Sequence, residues 1–206
     1  MIETLKPVRY RRRFIVIEGP NGVGKTTVAR AVANKLRGQE QNPVVETREP
    51  SDTSLGRAIR ELENSMPPMA LALACAADRF DHLAREIEPH LARAAIVVCD
   101  RFLPSSLVLQ RLDGLTLEEI WQLNTGVRIP DMTIFLEGTP QTLRERLALR
   151  PRRSRFEAST ATEDEIAFYR DARESVAQRG WPELLITTDG RQAEDVAAEI
   201  EHRLRD

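Results

Sequence analysis

Eight consecutive residues, Gly19 to Thr26, constrain this chain more than any other part of its sequence. They read Gly-Pro-Asn-Gly-Val-Gly-Lys-Thr and fit the pattern G-x-x-x-x-G-K-[ST]. An apolar run, Phe14 to Ile17, precedes them and a helical pattern follows, which is the context that this motif requires. Glycines allow backbone N–H groups to surround phosphate oxygens at a helix N-terminus, where the helix dipole adds positive potential. The sequence therefore predicts a phosphate-binding loop between a buried strand and a helix.

The same segment supplies candidate ligands for ATP and for magnesium. Lys25 is expected to neutralise the β- and γ-phosphates, and Thr26 offers a hydroxyl to the metal ion. Such a site also needs a carboxylate at the end of a neighbouring strand, and Asp100 directly follows the apolar run Ala95 to Cys99. We therefore expect Thr26 and Asp100 to hold Mg²⁺. The residues expected to bind ATP are Gly19, Asn21, Gly22, Val23, Gly24, Lys25, Thr26 and Thr27.

Five short apolar runs bounded by turn residues predict the architecture. They are Phe14 to Ile17, Val44 to Thr47, Ala95 to Cys99, Met132 to Leu136 and Leu184 to Thr187. Helical patterns separate them, and buried strands that alternate with helices form a parallel sheet covered on both faces. We predict a P-loop NTPase fold with a five-stranded parallel sheet. A chain of 206 residues favours one domain, here 14 to 206, after a basic tail at 1 to 13.

Three local signals refine the helices. Residues 69 to 92 form a long Ala/Leu-rich helical pattern, which Pro89 is expected to break near its end. Thr116 and Glu119 have the spacing of a capping box, and Gly38 stands where a helix C-cap would.

Composition excludes several classes of protein. A net charge of -2, with 30% charged residues, gives no support for generic nucleic-acid binding. No apolar run approaches the roughly 20 residues that span a bilayer, and no signal-peptide pattern opens the chain, so we expect a cytoplasmic protein without membrane contact. Cys75 and Cys99 lie in apolar stretches without metal-ligand spacing, which favours buried, reduced thiols.

Three classes of ATP- or GTP-binding protein share such a loop. A guanine-nucleotide switch needs an Asn-Lys-x-Asp segment, whereas Asn34-Lys35 continues here as Leu36-Arg37. An ATPase without a small acceptor has no use for arginines at the carboxyl ends of strands, which is where Arg48 and Arg101 fall. Arginine side chains bind phosphates with two donors at once. These arginines, with the basic segment 150 to 155, favour a phosphoryl transferase with a second phosphorylated substrate.

Several motifs, in order along the chain, resemble those of the thymidylate kinase family of nucleoside monophosphate kinases. They are the phosphate loop, Thr47-Arg48-Glu49-Pro50, Ala77-Asp78-Arg79 with His82, Asp100-Arg101-Phe102 with Ser105, Ser106 and Gln110, Pro130-Asp131, and Arg155-Phe156-Glu157. The likeness runs from Phe14 to about Tyr169.

The resemblance implies a reaction and a set of residue roles. The chain would transfer the γ-phosphate of ATP to a pyrimidine nucleoside monophosphate, dTMP giving dTDP, as a homodimer. Arg48 and Arg101 would hold the acceptor phosphate, while Arg79, Ser106 and Gln110 would bind the base. Residues 150 to 160 would form an arginine-rich lid over ATP. The side chains implied in catalysis are Lys25, Arg101, Arg153 and Arg155, with Arg152 as a further lid candidate.

The departures from the family pattern all lie on the acceptor side. Asn21 replaces an acidic residue near the sugar, Cys75 replaces an aromatic residue that stacks on the base, and Leu109 replaces a tyrosine. The family's Gly-Gly-Thr turn reads Ser51-Asp52-Thr53. They leave two alternatives open: dTMP bound with fewer contacts, or a kinase for a modified or different nucleotide or nucleoside. A regulatory P-loop ATPase is the alternative of another class.

Overall fold

A computed structural model describes residues 13 to 39, 42 to 149 and 162 to 205. Its single sheet has five strands: β1 Phe14–Glu18, β2 Val44–Arg48, β3 Ile96–Asp100, β4 Met132–Glu137 and β5 Glu183–Thr187. The strands pair in parallel in the order β2-β3-β1-β4-β5. The predicted five-stranded parallel sheet is confirmed, and each predicted run lies within one residue of its strand.

Helices connect the strands. They are α1 Lys25–Arg37, α2 Ser54–Leu62, α3 Pro68–His82, α4 Glu88–Ala92, α5 Leu103–Leu112, α6 Leu117–Leu123, α7 Pro140–Ala148, α8 Thr162–Ala177 and α9 Ala193–Arg205. A π-helical turn, Leu83–Ile87, joins α3 to α4. Crossovers of this kind bring all the strands' carboxyl ends to one edge of the sheet.

Side chains alternate between two apolar layers along each strand, as the period of a β-strand requires. Ile15 and Ile17 face a layer formed with α1 and α9, while Phe14 and Val16 face a layer formed with α5 and α8. Helices therefore cover both faces, as predicted.

Two of the three local predictions hold as stated. Thr116 and Glu119 form a complete capping box at the start of α6, and Gly38 is the C-cap of α1. The expectation that Pro89 breaks the long helix is wrong: it lies in the first turn of α4, and helical structure continues to Ala92. The π-helical turn just before it changes the backbone hydrogen-bond spacing, which accommodates a residue that has no N–H to donate.

Arg13 anchors the start of the predicted domain. Arg13, the last residue of the predicted tail, donates its backbone N–H to Asp131 Oδ2 at 2.8 Å and its guanidinium to the Leu91 carbonyl. Residues 1 to 12 and the predicted lid, including Arg150, Arg152, Arg153 and Arg155, lie outside the described residues. Within the described part of the chain, no helix is long and apolar enough to cross a membrane.

Candidate active site

The phosphate loop runs from the end of β1 to the start of α1. Gly24 is the N-cap of α1 with φ of 101°, a conformation that favours glycine. At Gly19, φ is 142°, and a Cβ atom would collide with the carbonyl oxygen of Leu136 in β4. The loop can thus lie against β4 only because position 19 carries no side chain.

Lys25 lies buried beneath this loop. Its Nζ donates to the carbonyl oxygens of Gly19, at 2.6 Å, and Pro20, at 3.0 Å. Burial, assisted by the positive charge of Arg101, lowers the pKa of Lys25 to about 7, although nearby carboxylates act in the opposite direction. An anion beside Nζ would favour the charged form. The loop therefore holds a lysine whose charge would be stabilised by phosphate.

Thr26 and Asp100 meet as predicted for a metal site. Thr26 Oγ1 donates to Asp100 Oδ2 at 2.5 Å. The other carboxylate oxygen, Asp100 Oδ1, is buried and has no hydrogen-bond partner among the described residues. A hydroxyl and a carboxylate with an oxygen to spare fit Mg²⁺, which usually takes one or two carboxylates and completes its shell with water and phosphate oxygens.

Glu18 is a central residue that the sequence analysis missed. Its fully buried carboxylate accepts the backbone N–H groups of Phe102 and Ser105 at 2.7 and 3.1 Å and the Ser105 hydroxyl at 2.7 Å. Burial raises the pKa of Glu18, while these donors and Arg101 oppose the rise. Glu18 thereby connects the start of the phosphate loop to the segment that follows Asp100. Its position directly before Gly19 was the available signal.

A cavity of about 370 Å³ opens beside these residues. The predicted site residues that line it are Asn21, Thr26, Arg48, Arg79, Asp100, Arg101, Ser106 and Gln110. Cys75, Leu109 and Arg60 line it as well. The structure therefore brings the predicted metal pair and all five predicted acceptor-binding residues to one space.

Arg101 stands where the loop and the cavity meet. Its φ of 74° lies in the left-handed region that few residues other than glycine adopt. The guanidinium donates to Asn21 Oδ1 at 2.6 Å and to Ser105 Oγ at 3.2 Å. Asn21 therefore contacts Arg101 directly, but without the negative charge that the family pattern would supply.

A second space, of about 440 Å³, borders the phosphate loop and was missed by sequence reasoning. Gly22 to Gly24 and Thr27 line it together with Arg146 of α7 and Arg191, which precedes α9. Arg146 donates to the Val23 carbonyl at 3.1 Å and to the Thr188 carbonyl at 3.3 Å. A nucleotide with its phosphates on the loop could extend into this space.

Comparisons with known proteins agree with this geometry. Residues 17 to 200 match the family model described as thymidylate kinase. The chain belongs to the thymidylate kinase family. The thymidylate kinase of Synechococcus sp. (strain JA-2-3B'a(2-13)) is 38% identical over 205 residues, covering 87% of this chain and 99% of that protein. The probable thymidylate kinase of Pyrobaculum aerophilum is 34% identical over 194 residues, covering 91% and 93%.

A solved structure supports the same fold. The crystal structure of thymidylate kinase from Ehrlichia chaffeensis aligns with a TM-score of 0.70 at 27% identity, covering 95% of this chain and 99% of that one. Membership of the thymidylate kinase family makes this chain a nucleoside monophosphate kinase.

The thymidylate kinase motif residue Arg79 is held by a buried polar network. Nε donates to Glu49 Oε2 at 2.9 Å, Nη1 to Asn124 Oδ1 at 2.5 Å and Nη2 to Ser106 Oγ at 2.8 Å. Both Arg79 and Glu49 are buried, so each charge depends on the other for compensation. These three partners fix the orientation of the Arg79 guanidinium and its position on the cavity wall.

His82 extends this network and was predicted only as part of a motif. The ring is fully buried, with Nε2 at 2.8 Å from Thr47 Oγ1 and 3.5 Å from Glu86, and Nδ1 at 3.6 Å from Glu49. Burial alone would lower the pKa of His82, but the two carboxylates outweigh it and raise the pKa to about 9. His82 is therefore a cation at neutral pH, between two glutamates.

The two cysteines differ in their surroundings. Cys99 is buried in β3 and Cys75 is half-buried on the cavity wall, and both are free thiols. Burial raises the pKa of Cys75 to about 11, so this side chain is a neutral thiol at physiological pH.

We predict that His82 makes stability depend on pH in the alkaline range. Because the folded pKa of about 9 exceeds the ordinary value of 6.5, its contribution is complete below about pH 6.5 and is lost as pH rises through 9. Urea unfolding of the wild type and His82→Gln should show a difference in unfolding free energy that shrinks, by up to about 3 kcal/mol, between those values.

The exposed His202 provides the matched control. His202→Gln should leave the wild-type pH profile unchanged in this interval. A stability difference between wild type and His82→Gln that stays constant from pH 6 to pH 9.5 would contradict the proposed ion network.

Proposed function

We propose that this chain transfers the γ-phosphate of ATP to dTMP and produces ADP and dTDP. One observation carries the proposal: a single cavity is lined by Asn21 and Thr26 of the phosphate-loop segment, by Asp100 and by the acceptor-binding side chains. Phosphoryl transfer requires the donor and acceptor oxygens to be in line and their charge to be neutralised, and it needs little covalent chemistry from the protein. A shared cavity would bring the donor and acceptor phosphates close together.

The base-binding end of the cavity supports a thymine or uracil base. Gln110 Oε1 is buried without a hydrogen-bond partner in the described part of the chain, and it can accept the N3–H of such a base. Arg79 uses one Nη1 hydrogen on Asn124, which leaves the second available for the O4 carbonyl. Cytosine presents the reverse pattern, an acceptor at N3 and a donor at N4, and would leave Gln110 and Arg79 unsatisfied.

The opposite end supports phosphate binding from both substrates. We propose that Lys25 and the loop N–H groups bind the ATP phosphates, that Thr26 and Asp100 hold Mg²⁺, and that Arg48 and Arg101 bind the acceptor phosphate. The metal ion, when bound, neutralises charge that develops on the transferring phosphoryl group. Arg101 is suited to the junction because it lies between Asn21 of the loop and Ser105 of α5. Arg153 and Arg155 stay proposed as lid residues that complete the site.

Two alternatives to this function are a kinase for another nucleotide and a regulatory ATPase. Cys75 and Leu109, both half-buried on the cavity wall, stand where the family pattern has aromatic residues, which favours the alternative that a modified or different nucleotide is the acceptor. A regulatory ATPase is disfavoured because it would not need a buried base-binding network. The predicted cytoplasmic location and the assignment of residues 14 to 206 to one domain remain predictions.

A panel of acceptors tests the proposed reaction by following ADP release with dTMP, dUMP, dCMP and thymidine. We expect dTMP to give the highest kcat/KM. The missing methyl group of dUMP should cost about fivefold, and dCMP should fall at least about a hundredfold because it leaves buried groups unpaired. Efficient turnover of dTMP would exclude the altered-acceptor alternative. Higher efficiency with dCMP, or with uncharged thymidine, would contradict the assignment.

We also propose that the chain forms a homodimer through α3. Met69, Leu73, Ala77 and Phe80 fall at helical spacing on one exposed stripe of this helix. Leu73 is 51% exposed and Met69 42%, which is unusual for large apolar side chains that line up on one face. A self-complementary contact across a two-fold axis would bury both copies of this stripe.

Light scattering after size exclusion tests the dimer. The wild type should elute at about twice the chain mass of 23.3 kDa, and Leu73→Glu should shift it to the monomer because it places two charges in an apolar contact. Leu185→Glu, on the edge strand β5, is the matched control and should leave the mass unchanged. A Leu73→Glu variant that keeps the dimer mass would place the interface elsewhere.

A further inference from the structure

Asp52 provides an anion at the acceptor-phosphate end of the cavity. Its Oδ1 accepts Arg48 Nη2 at 2.7 Å and Nε at 3.3 Å, and also Arg60 Nη2 at 3.0 Å. Arg48 and Arg60 both line the acceptor cavity, and Asp52, which is not a lining residue, is hydrogen-bonded to both. One carboxylate oxygen therefore takes donors from two arginines that face the proposed substrate.

The loop around Asp52 is fixed by hydrogen bonds to the buried Asp78. Ser51 donates its backbone N–H and its hydroxyl to the buried Asp78, at 2.7 and 2.6 Å, and Thr53 Oγ1 donates to the same residue at 3.2 Å. Gly56 approaches the Ser51 backbone so closely that a Cβ atom there would collide with it. Ser51 and Thr53 thus point inward, and Asp52 between them points outward to the arginines.

The ion pairs are exposed, and therefore exchangeable. The Arg48 and Asp52 side chains are 53% and 69% exposed, in the range where ion pairs contribute little to stability. The hydrogen bond from Arg48 lowers the pKa of Asp52, so the carboxylate is ionised at neutral pH. A phosphate dianion carries more charge and more acceptor oxygens than a carboxylate and would compete well for the same guanidinium groups.

We propose that Asp52 is a positioning residue that occupies Arg48 and Arg60 until an acceptor phosphate displaces it. This inference rests on the proposed function, in which Arg48 binds the acceptor phosphate. The Asp52 carboxylate keeps the Arg48 guanidinium near the position in which it would bind phosphate. Only an acceptor that carries negative charge can displace this carboxylate. A dianionic monophosphate can displace the Asp52 carboxylate from the arginines, whereas an uncharged nucleoside cannot. The carboxylate thus orders Arg48 before the acceptor binds and lowers the affinity for the acceptor phosphate.

Steady-state kinetics of Asp52→Asn tests the proposal, because the amide keeps the shape of the side chain and removes the competing charge. We expect the KM for dTMP to fall about three- to tenfold, from the modest strength of exposed ion pairs. The KM for ATP and kcat should change less than about twofold. A purely structural role for Asp52 would instead lower kcat or change both KM values together.

Two further variants make the result interpretable. Asp81→Asn breaks the exposed pair between Asp81 and Arg85, also four residues apart but outside the cavity, and should change neither KM. Arg48→Ala should raise the KM for dTMP, and adding Asp52→Asn to it should lower that KM much less than in the wild type, because one of the arginines for which Asp52 competes has been removed.

Failure of this inference and failure of the proposed function are distinguishable. An unchanged or raised KM for dTMP in Asp52→Asn, with the Arg48→Ala effect intact, would overturn the role of Asp52 and leave the proposed function standing. If Arg48→Ala leaves the KM for dTMP unchanged, the acceptor phosphate is bound elsewhere and both proposals fail.

Discussion

The parallel pairing of β1 with its neighbour β3 is the constraint on which the site depends. In this register Ile17 lies opposite Asp100, and Arg48 of β2 lies opposite the same residue. Three strands therefore end at one level of the sheet. The residues that follow these strands, beginning with Gly19, Glu49 and Arg101, therefore lie close together. No long loop is needed to bring them there. A register shift of one residue would turn Asp100 away from Thr26.

Charge compensation explains how so many ionisable groups can be buried at that edge. Glu18 is satisfied by two backbone N–H groups and a hydroxyl, while Glu49, Arg79 and His82 compensate one another. An isolated buried charge would cost several kcal/mol, so these groups can persist only as networks. Lys25 Nζ donates to two backbone carbonyl oxygens, and burial depresses its pKa to about 7. The proposed donor end thus carries a charge whose compensation a phosphate would supply, and the proposed acceptor end holds arginines that are paired with an exposed carboxylate.

Sequence reasoning succeeded where the signal was local. The strands, the phosphate loop and the capping box of α6 each rest on residues within a few positions of one another. Asp100 could be placed because strand ends meet in a parallel sheet. Glu18 and Arg146 were missed because their partners lie 84 and 123 residues away. Pro89 was misjudged because proline tolerates the first turn of a helix, and the preceding π-helical turn leaves no trace in hydrophobic periodicity. In the proposed reaction, the identity of the acceptor depends on base contacts at Gln110 and Arg79, which the spacing of residues in the sequence does not reveal.

We propose that this cavity joins a phosphoryl donor to a nucleotide acceptor and does not simply hydrolyse ATP. Phosphorus NMR of a reaction containing ATP, Mg²⁺ and dTMP distinguishes the two products directly. We expect the ATP signals to give way to those of ADP and of a second nucleoside diphosphate in equal amounts, with little inorganic phosphate. ADP accompanied by an equal amount of inorganic phosphate, with the dTMP signal unchanged, would contradict it.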